Sequence, residues 1–241
     1  MFAQITIDGR YEGPPGFVNG GWVAGLMSQF VATSTVTVSL RRPVPVDTPV
    51  SVVRVGEGAT LVAGTEELVV ATGGGWEPSI PAVEPVGLAD AEWATAQFWA
   101  AAEEHPFPHC FSCGPSRAVG DGLRILPGAV AGRPELRAAT WKVDHQYDAG
   151  RCEAVAPAVW SALDCSGAFP HLRPGEAPVL GRISGRRLGE IRPGETYVVV
   201  GRADGADGRK RYSSTALFDG DGHRLAESQQ TWIILDRPSL A

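Results

Sequence analysis

Two short runs carry residue types suited to chemistry. In the first, Asp164 stands inside Val155-Ala156-Pro157-Ala158-Val159-Trp160-Ser161-Ala162-Leu163-Asp164-Cys165, a segment apolar nearly all the way round a helix, with Pro157 suited to its first turn. An unpaired buried charge is costly, so this carboxylate must be paired, hydrogen-bonded or turned toward a solvated cleft. It is a candidate general base or nucleophile, or one half of a structural ion pair with Arg182, Arg186 or Arg187. In the second run, Asn19-Gly20-Gly21-Trp22, Asn19 sits where an N-cap would. The glycines after it expose backbone N–H groups at the positive end of a helix, where a carbonyl oxygen gaining negative charge can be held. The plainer alternative is that Asn19 only caps and the glycines only permit close packing.

Further polar groups need a place. Gln229 and Gln230 lie on a late β-rich stretch. Cys110 and Cys113 form a CxxC pair near His105 and His109, but a structural zinc site needs four ligands and there is no second CxxC, so no metal is expected. No redox cofactor is expected either. The four cysteines, Cys152 and Cys165 being the others, are expected as thiols, since a chain without a leader in a reducing compartment seldom pairs them.

The elements that must position these residues repeat in outline. A strand (Phe2 to Ile7), a Gly/Pro-rich loop, a helix from Gly20 to Ala32 and β-rich stretches over Thr35 to Leu40, Pro49 to Val55 and Leu61 to Ala71 make a first unit, residues 1–78. A connector, 79–108, carries an amphipathic helix from Asp90 to Glu104. The second unit, 109–241, has strand material from Leu123 to Val143 and a helix from Pro157 to Phe169. Strands follow over Val179 to Leu188, Thr196 to Ala203, Lys210 to Asp219 and Leu225 to Leu235. One helix followed by an antiparallel run of strands, twice, is an α+β pattern.

Composition sets the outer limits. The 241 residues are 44% hydrophobic with a net charge of −6, a globular chain without the clustered Lys and Arg of a nucleic-acid binder. There is neither an apolar run long enough to span a membrane nor a basic segment leading into a signal-like stretch, so the expectation is a cytoplasmic protein.

In this setting the chain resembles the hotdog-fold thioesterase superfamily. Cys110-Phe111-Ser112-Cys113-Gly114, with Gly122-Leu123-Arg124-Ile125 after it, is similar to the "CFxCG...GLRL" opening of phenylacetyl-CoA thioesterase-like hotdog domains, and Ala162-Leu163-Asp164 to their "LLD". Their His-Gly-Gly, with its His nine residues before the acid, is replaced here by Val155-Ala156-Pro157. The first unit shows the complement: Asn19-Gly20-Gly21 resembles that entry with Asn for His, and nine residues after Asn19 stands Ser28 in place of the acid. The arrangement also looks like double-hotdog acyl-CoA thioesterases, with Cys165 for the His of their "LDH".

The resemblance implies a double hotdog, two antiparallel sheets each wrapped around a long central helix. It implies one acyl-thioester site shared by the halves: Gly20, with Gly21, as oxyanion donor, Asp164 as base or nucleophile, and Gln230, or Gln229, on the last strand. Asn19, Gly21 and Trp22 would flank the substrate, and Ser184 or Ser213 would stand in for the family's hydroxyl. The implied activity is hydrolysis of an acyl-CoA or related thioester, without a cofactor, with homo-oligomers of such chains as a further expectation. Two rivals remain: a non-catalytic acyl-thioester binding protein of the same fold and, more weakly, a hydroxyacyl-thioester dehydratase, which needs a His that neither helix contains.

Overall fold

The computed structural model describes residues 3–99 and 105–236. Five strands from the first part of the chain, β1 (Ala3–Thr6), β2 (Thr35–Leu40), β3 (Pro49–Val55), β4 (Gly58–Ala63) and β5 (Glu66–Gly73), pair with six from the second. These are β6 (Gly128–Val130), β7 (Arg133–Lys142), β8 (Glu176–Arg187), β9 (Thr196–Asp207), β10 (Lys210–Phe218) and β11 (Arg224–Asp236). All belong to one 11-stranded sheet of order β1-β3-β4-β5-β2-β8-β11-β10-β9-β7-β6. Two half-sheets therefore meet edge to edge at the β2–β8 seam, antiparallel, with Thr37 opposite Ser184. At that pair the two hydroxyls bond at 2.8 Å, so each half-sheet covers the other's open edge.

Among the described residues three α-helices pack on this sheet: α1 (Gly20–Ser28), α2 (Leu88–Trp99) and α3 (Ala156–Ser166). Strands β7, β9 and β10 of the second half are buried on both faces where helices cover them. Leu136, Ala138, Val198, Val200, Ala216 and Phe218 join Ala91 and Ala94 of α2 in one cluster. Their sequence neighbours Ala139, Trp141, Tyr197, Val199 and Leu217 join Ala158, Ala162 and Leu163 of α3 in another. The two-residue alternation of a strand sends each set to its own side. That explains why Tyr197-Val198-Val199-Val200 is apolar without a break. The connector helix thus covers the face of the second half-sheet opposite α3.

Element ends differ from the sequence reading in instructive ways. The β-rich stretch Leu61 to Ala71 is a hairpin, β4 and β5, turning at Gly64 with φ 59°. Only the last part of Leu123 to Val143 is strand, a second hairpin turning at Gly132 with φ 72°. The first helix stops at Ser28, four residues short of Ala32. Its last turn tightens to three-residue spacing, with Phe30 N–H on the Met27 carbonyl and Val31 N–H on that of Ser28. The third helix ends at Ser166, and Phe169–His171 forms a separate 3₁₀ turn because Pro170 cannot donate. The second begins two residues before Asp90, and residues 100–104 lie outside the described part. No helix among the described residues is long and apolar enough to cross a membrane.

Candidate functional site

The α1–α3 contact builds the site. At Gly21 an added Cβ would lie 2.6 Å from the Asp164 Cβ, the Ser161 Cα and the Trp160 carbonyl oxygen. At Gly25 it would lie 2.6 Å from the Pro157 Cα. Without side chains at these two positions, the backbones approach closely enough for direct hydrogen bonding. The helices run antiparallel, and the N-terminus of α1 meets the C-terminal half of α3.

Here Asp164 Oδ2 accepts from the Gly21 backbone N–H at 2.8 Å and from Asn19 Nδ2 at 3.0 Å. Asn19 performs two tasks. Its Oδ1 accepts from the Trp22 N–H at 2.9 Å, capping α1, while its amide nitrogen reaches Asp164 and, at 3.6 Å, Cys110 Sγ. The capping expected of Asn19 is present, and its amide makes a second contact, to the Asp164 carboxylate. Asp164 is 2% exposed, and among the described residues no Arg, Lys or His is ion-paired with it. The arginines suggested as partners are engaged elsewhere: Arg186 with Glu227 at 2.6 Å, Arg187 with Glu153 at 2.9 Å, and Arg182 with Ser39 Oγ at 3.3 Å. This removes the structural ion pair as an account of Asp164. Burial pushes its carboxyl up to about 7, with the Gly21 N–H and the Asn19 amide pulling in the opposite direction. Its Oδ1 is buried without a hydrogen-bond partner among the described residues.

Asp164 lines a cavity of ≈ 360 Å³, within the range of small-ligand sites. Gly20 and Asn19 form part of its wall beside Asp164, Cys110 and Cys165. The remainder is mostly apolar, including Phe17, Val44, Leu180, Trp232 and Leu235. Arg41 and Arg42 also border it, ion-paired with Glu67 at 3.7 Å and Glu66 at 2.5 Å. Gly20 is the first residue of α1, and helix geometry leaves its N–H without an intrahelical acceptor.

Other expected members lie elsewhere. Gln230 sits beneath α3: its Nε2 donates to the Leu163 carbonyl at 2.8 Å and to Ser228 Oγ at 2.9 Å, and its Oε1 accepts from Trp232 Nε1 at 2.8 Å. It bonds the carbonyl preceding Asp164, not the carboxylate, and does not line the cavity. Gln229 exchanges hydrogen bonds with the backbone of Glu77 at 2.8 Å. Trp22 stacks on Tyr11 with ring centroids 3.6 Å apart and meets Phe111 edge-on at 5.0 Å, away from the cavity wall. Ser184 is bonded to Thr37 at the seam, and Ser213 donates to the Gly167 carbonyl at 2.5 Å.

The structure adds residues that the sequence reading kept apart. Cys165, one position after Asp164, brings its Sγ 3.8 Å from Cys110 Sγ, and these two with Cys113 form a buried cluster. Hydrogen bonds from the Cys113 and Cys165 thiols hold Cys110 well below the usual thiol range. Burial pushes Cys113 up, and the bond to Cys110 pushes Cys165 up. A separation of 55 residues hides this contact from any spacing pattern.

No protein-family model matches the chain, and no curated protein matches it. Solved structures do. A tesB protein of Mycobacterium avium subsp. paratuberculosis is 14% identical over 97% of this chain and 93% of its own, with a TM-score of 0.59. An acyl-CoA thioesterase II, TesB2, of Mycobacterium marinum is 16% identical over 98% and 93%, TM-score 0.59. A protein of unknown function from Alicyclobacillus acidocaldarius, described as having a hot dog fold, is 14% identical over 97% and 92%, TM-score 0.59.

Proposed function

We propose that the chain, whose fold is that of hotdog proteins, is a thioesterase of that fold and hydrolyses an acyl-CoA or related acyl thioester at the cavity between α1 and α3. One observation carries the reading. A buried carboxylate with no cationic partner among the described residues is held by N–H donors from the other half of the chain, at the wall of a largely apolar cavity. A carboxylate in such surroundings is suited to taking a proton from water.

The acyl chain occupies the apolar part of the cavity, and its carbonyl oxygen lies against the Gly20 N–H. Asp164 removes a proton from water as the water oxygen adds to the carbonyl carbon. The resulting oxyanion is stabilised by the Gly20 N–H at the positive end of α1. The C–S bond then breaks, the thiolate takes up the proton held by Asp164, and free thiol and the carboxylic acid leave, the acid giving its proton to solvent. Direct attack by Asp164, giving a mixed anhydride that water opens, uses the same positions. Gln230 is a positioning residue in this scheme, fixing the backbone at Leu163 and hence the Asp164 side chain. Arg41 and Arg42, at the border of the cavity, would meet the phosphates of a CoA portion by exchanging their partners Glu67 and Glu66.

A second reading, binding of an acyl thioester without turnover, is favoured by the Gly21 N–H being bonded to Asp164 and not directed at a ligand. Release of free thiol from a panel of acyl-CoA substrates decides between them. Turnover abolished by Asp164→Asn supports the hydrolase; saturable binding with no thiol release supports the binder.

A further inference from the structure

The CxxC turn and the end of α3 converge on one point. Cys110, Cys113 and Cys165 place their Sγ atoms within 4.8 Å of one another, and all three are buried. Cys110 and Cys165 are 3.8 Å apart. Sulfurs bound at ~2.3 Å to one tetrahedral ion lie about 3.8 Å apart, so this edge already has the length that such coordination requires.

The turn is shaped for the purpose. The Gly114 N–H closes it on the Cys110 carbonyl at 2.8 Å, and a Cβ at Gly114 would lie 2.5 Å from that oxygen, so only glycine fits. Ser112 between the cysteines donates to the Ser161 carbonyl of α3 at 2.9 Å, locking the turn to the helix that carries Cys165. Asn19 Nδ2, 3.6 Å from Cys110 Sγ, places an N–H donor against one sulfur, an interaction that suits a thiolate ligand. Cys110 and Cys165 line the cavity, as does Asp164, whose Oδ1 has no hydrogen-bond partner among the described residues. Asp164 is not within reach of all three sulfurs, so the fourth donor on that side is solvent from the cavity.

We propose that Cys110, Cys113 and Cys165 form a binding site for a soft divalent cation of the zinc type, joining the CxxC turn to α3 beside the cavity. This goes beyond the hydrolase reading and does not depend on it. Sequence spacing alone argues against a metal, because a CxxC supplies two ligands; the fold brings the third. On binding, the thiols that still carry protons release them to solvent and the cation takes three sulfur ligands. The ion ties residues 110–113 to residue 165, so it binds the folded chain in preference to the unfolded one and raises the melting temperature.

The test uses the full chain, reduced and freed of metal with a chelator, then titrated with Co2+ and with Zn2+. The expected result is one Co2+ per chain with thiolate-to-cobalt charge-transfer absorption, displacement by Zn2+, and a higher Tm that chelator reverses. X-ray absorption on the unmutated zinc-loaded chain should give about three sulfurs at ~2.3 Å, a readout independent of whether any variant folds. Cys113→Ser should lower the charge-transfer absorption and weaken binding, while Cys152→Ser, at an exposed cysteine, should leave both unchanged. Absence of stoichiometric thiolate-bound Co2+, a coordination shell with fewer than two sulfurs, dependence on Cys152, or a Cys110–Cys165 disulfide persisting in the reduced chain would each overturn the site.

Discussion

The backbone N–H of Gly21 and the carboxylate of Asp164 are 2.8 Å apart although 143 residues separate them. The contact requires both the bare face of α1 and the apolar surroundings of α3. It joins the two halves of the chain through a buried carboxyl group that has no ion-pair partner among the described residues.

Replacing Asp164 should therefore affect rate far more than fold. Asp164→Asn keeps the shape and can still accept from Gly21 through its amide oxygen, but cannot take a proton. The loss of a positioned base is expected to cut thiol release by about 100- to 10,000-fold. Tm and circular dichroism should stay close to the unmutated chain. Unchanged turnover in this variant would remove Asp164 from the mechanism.

The adjacent glycines should respond differently to the same small addition. At Gly21 a Cβ meets Asp164 and the backbone of α3 at 2.6 Å, so Gly21→Ala must push the helices apart. Overpacking of this kind costs about 1–3 kcal/mol, occasionally more. At Gly20 the nearest atoms are the Leu180 Cβ at 2.9 Å and Cδ2 at 3.0 Å, one side chain on the cavity wall and not the backbone of a helix. Gly20→Ala, which displaces Leu180 only, should lose less stability than Gly21→Ala in denaturant titration and should weaken acyl-thioester binding. Equal midpoints for the two variants would contradict the packing described for α1 and α3.

Much of this arrangement was legible in the sequence because it rests on residue type. The Asp in an apolar helix, the Asn-Gly-Gly start and the twice-repeated helix-then-strands order each have a local physical cause. What escaped depended on contacts distant in sequence. Gln230 was expected at the carboxylate, but a strand pattern gives only the face a residue occupies, and that face meets the Leu163 carbonyl first. Cys165 was visible as an apolar position on α3 and as the residue in place of the His of "LDH", but nothing in the sequence set it beside Cys110. The turns at Gly64 and Gly132 were missed because each flanking stretch remains β-rich, so the two-residue period continues through the hairpin.

Gln230 offers a way to separate positioning from chemistry. Gln230→Leu would leave the Leu163 carbonyl and the Trp232 indole N–H without their present partners. An unsatisfied buried polar group costs about 1–3 kcal/mol, so stability should fall clearly in denaturant titration. Because Gln230 does not touch the carboxylate, turnover of the folded fraction should fall less than in Asp164→Asn. A rate loss equal to that of Asp164→Asn with no stability change would assign Gln230 a direct catalytic role.

Finally, each chain should hold one competent site. A pair of similar halves could in principle form two, but the opposite end of the α1–α3 contact is closed. Gly25 packs against Pro157 and Ala156, with the Pro157 Cα and the Ala156 carbonyl oxygen 2.6 and 2.7 Å from where a Cβ would be. Pro157 has no N–H to offer an oxyanion. Ser28, where the acid would stand, already donates to the Gly25 carbonyl at 2.8 Å, and a hydroxyl without a base is a poor nucleophile. Trp160 turns toward the β2–β8 seam, its ring lying 2.9 Å from the Cβ position of Gly185 and filling space there. Calorimetric titration with a non-hydrolysable acyl-CoA analogue should give one equivalent per chain, with Asp164 and Gly20 reporting the bound ligand and Ser28 silent. Two equivalent sites per chain, or a ligand seated against Ser28 and Ala156, would show that the halves do not divide the work in this way.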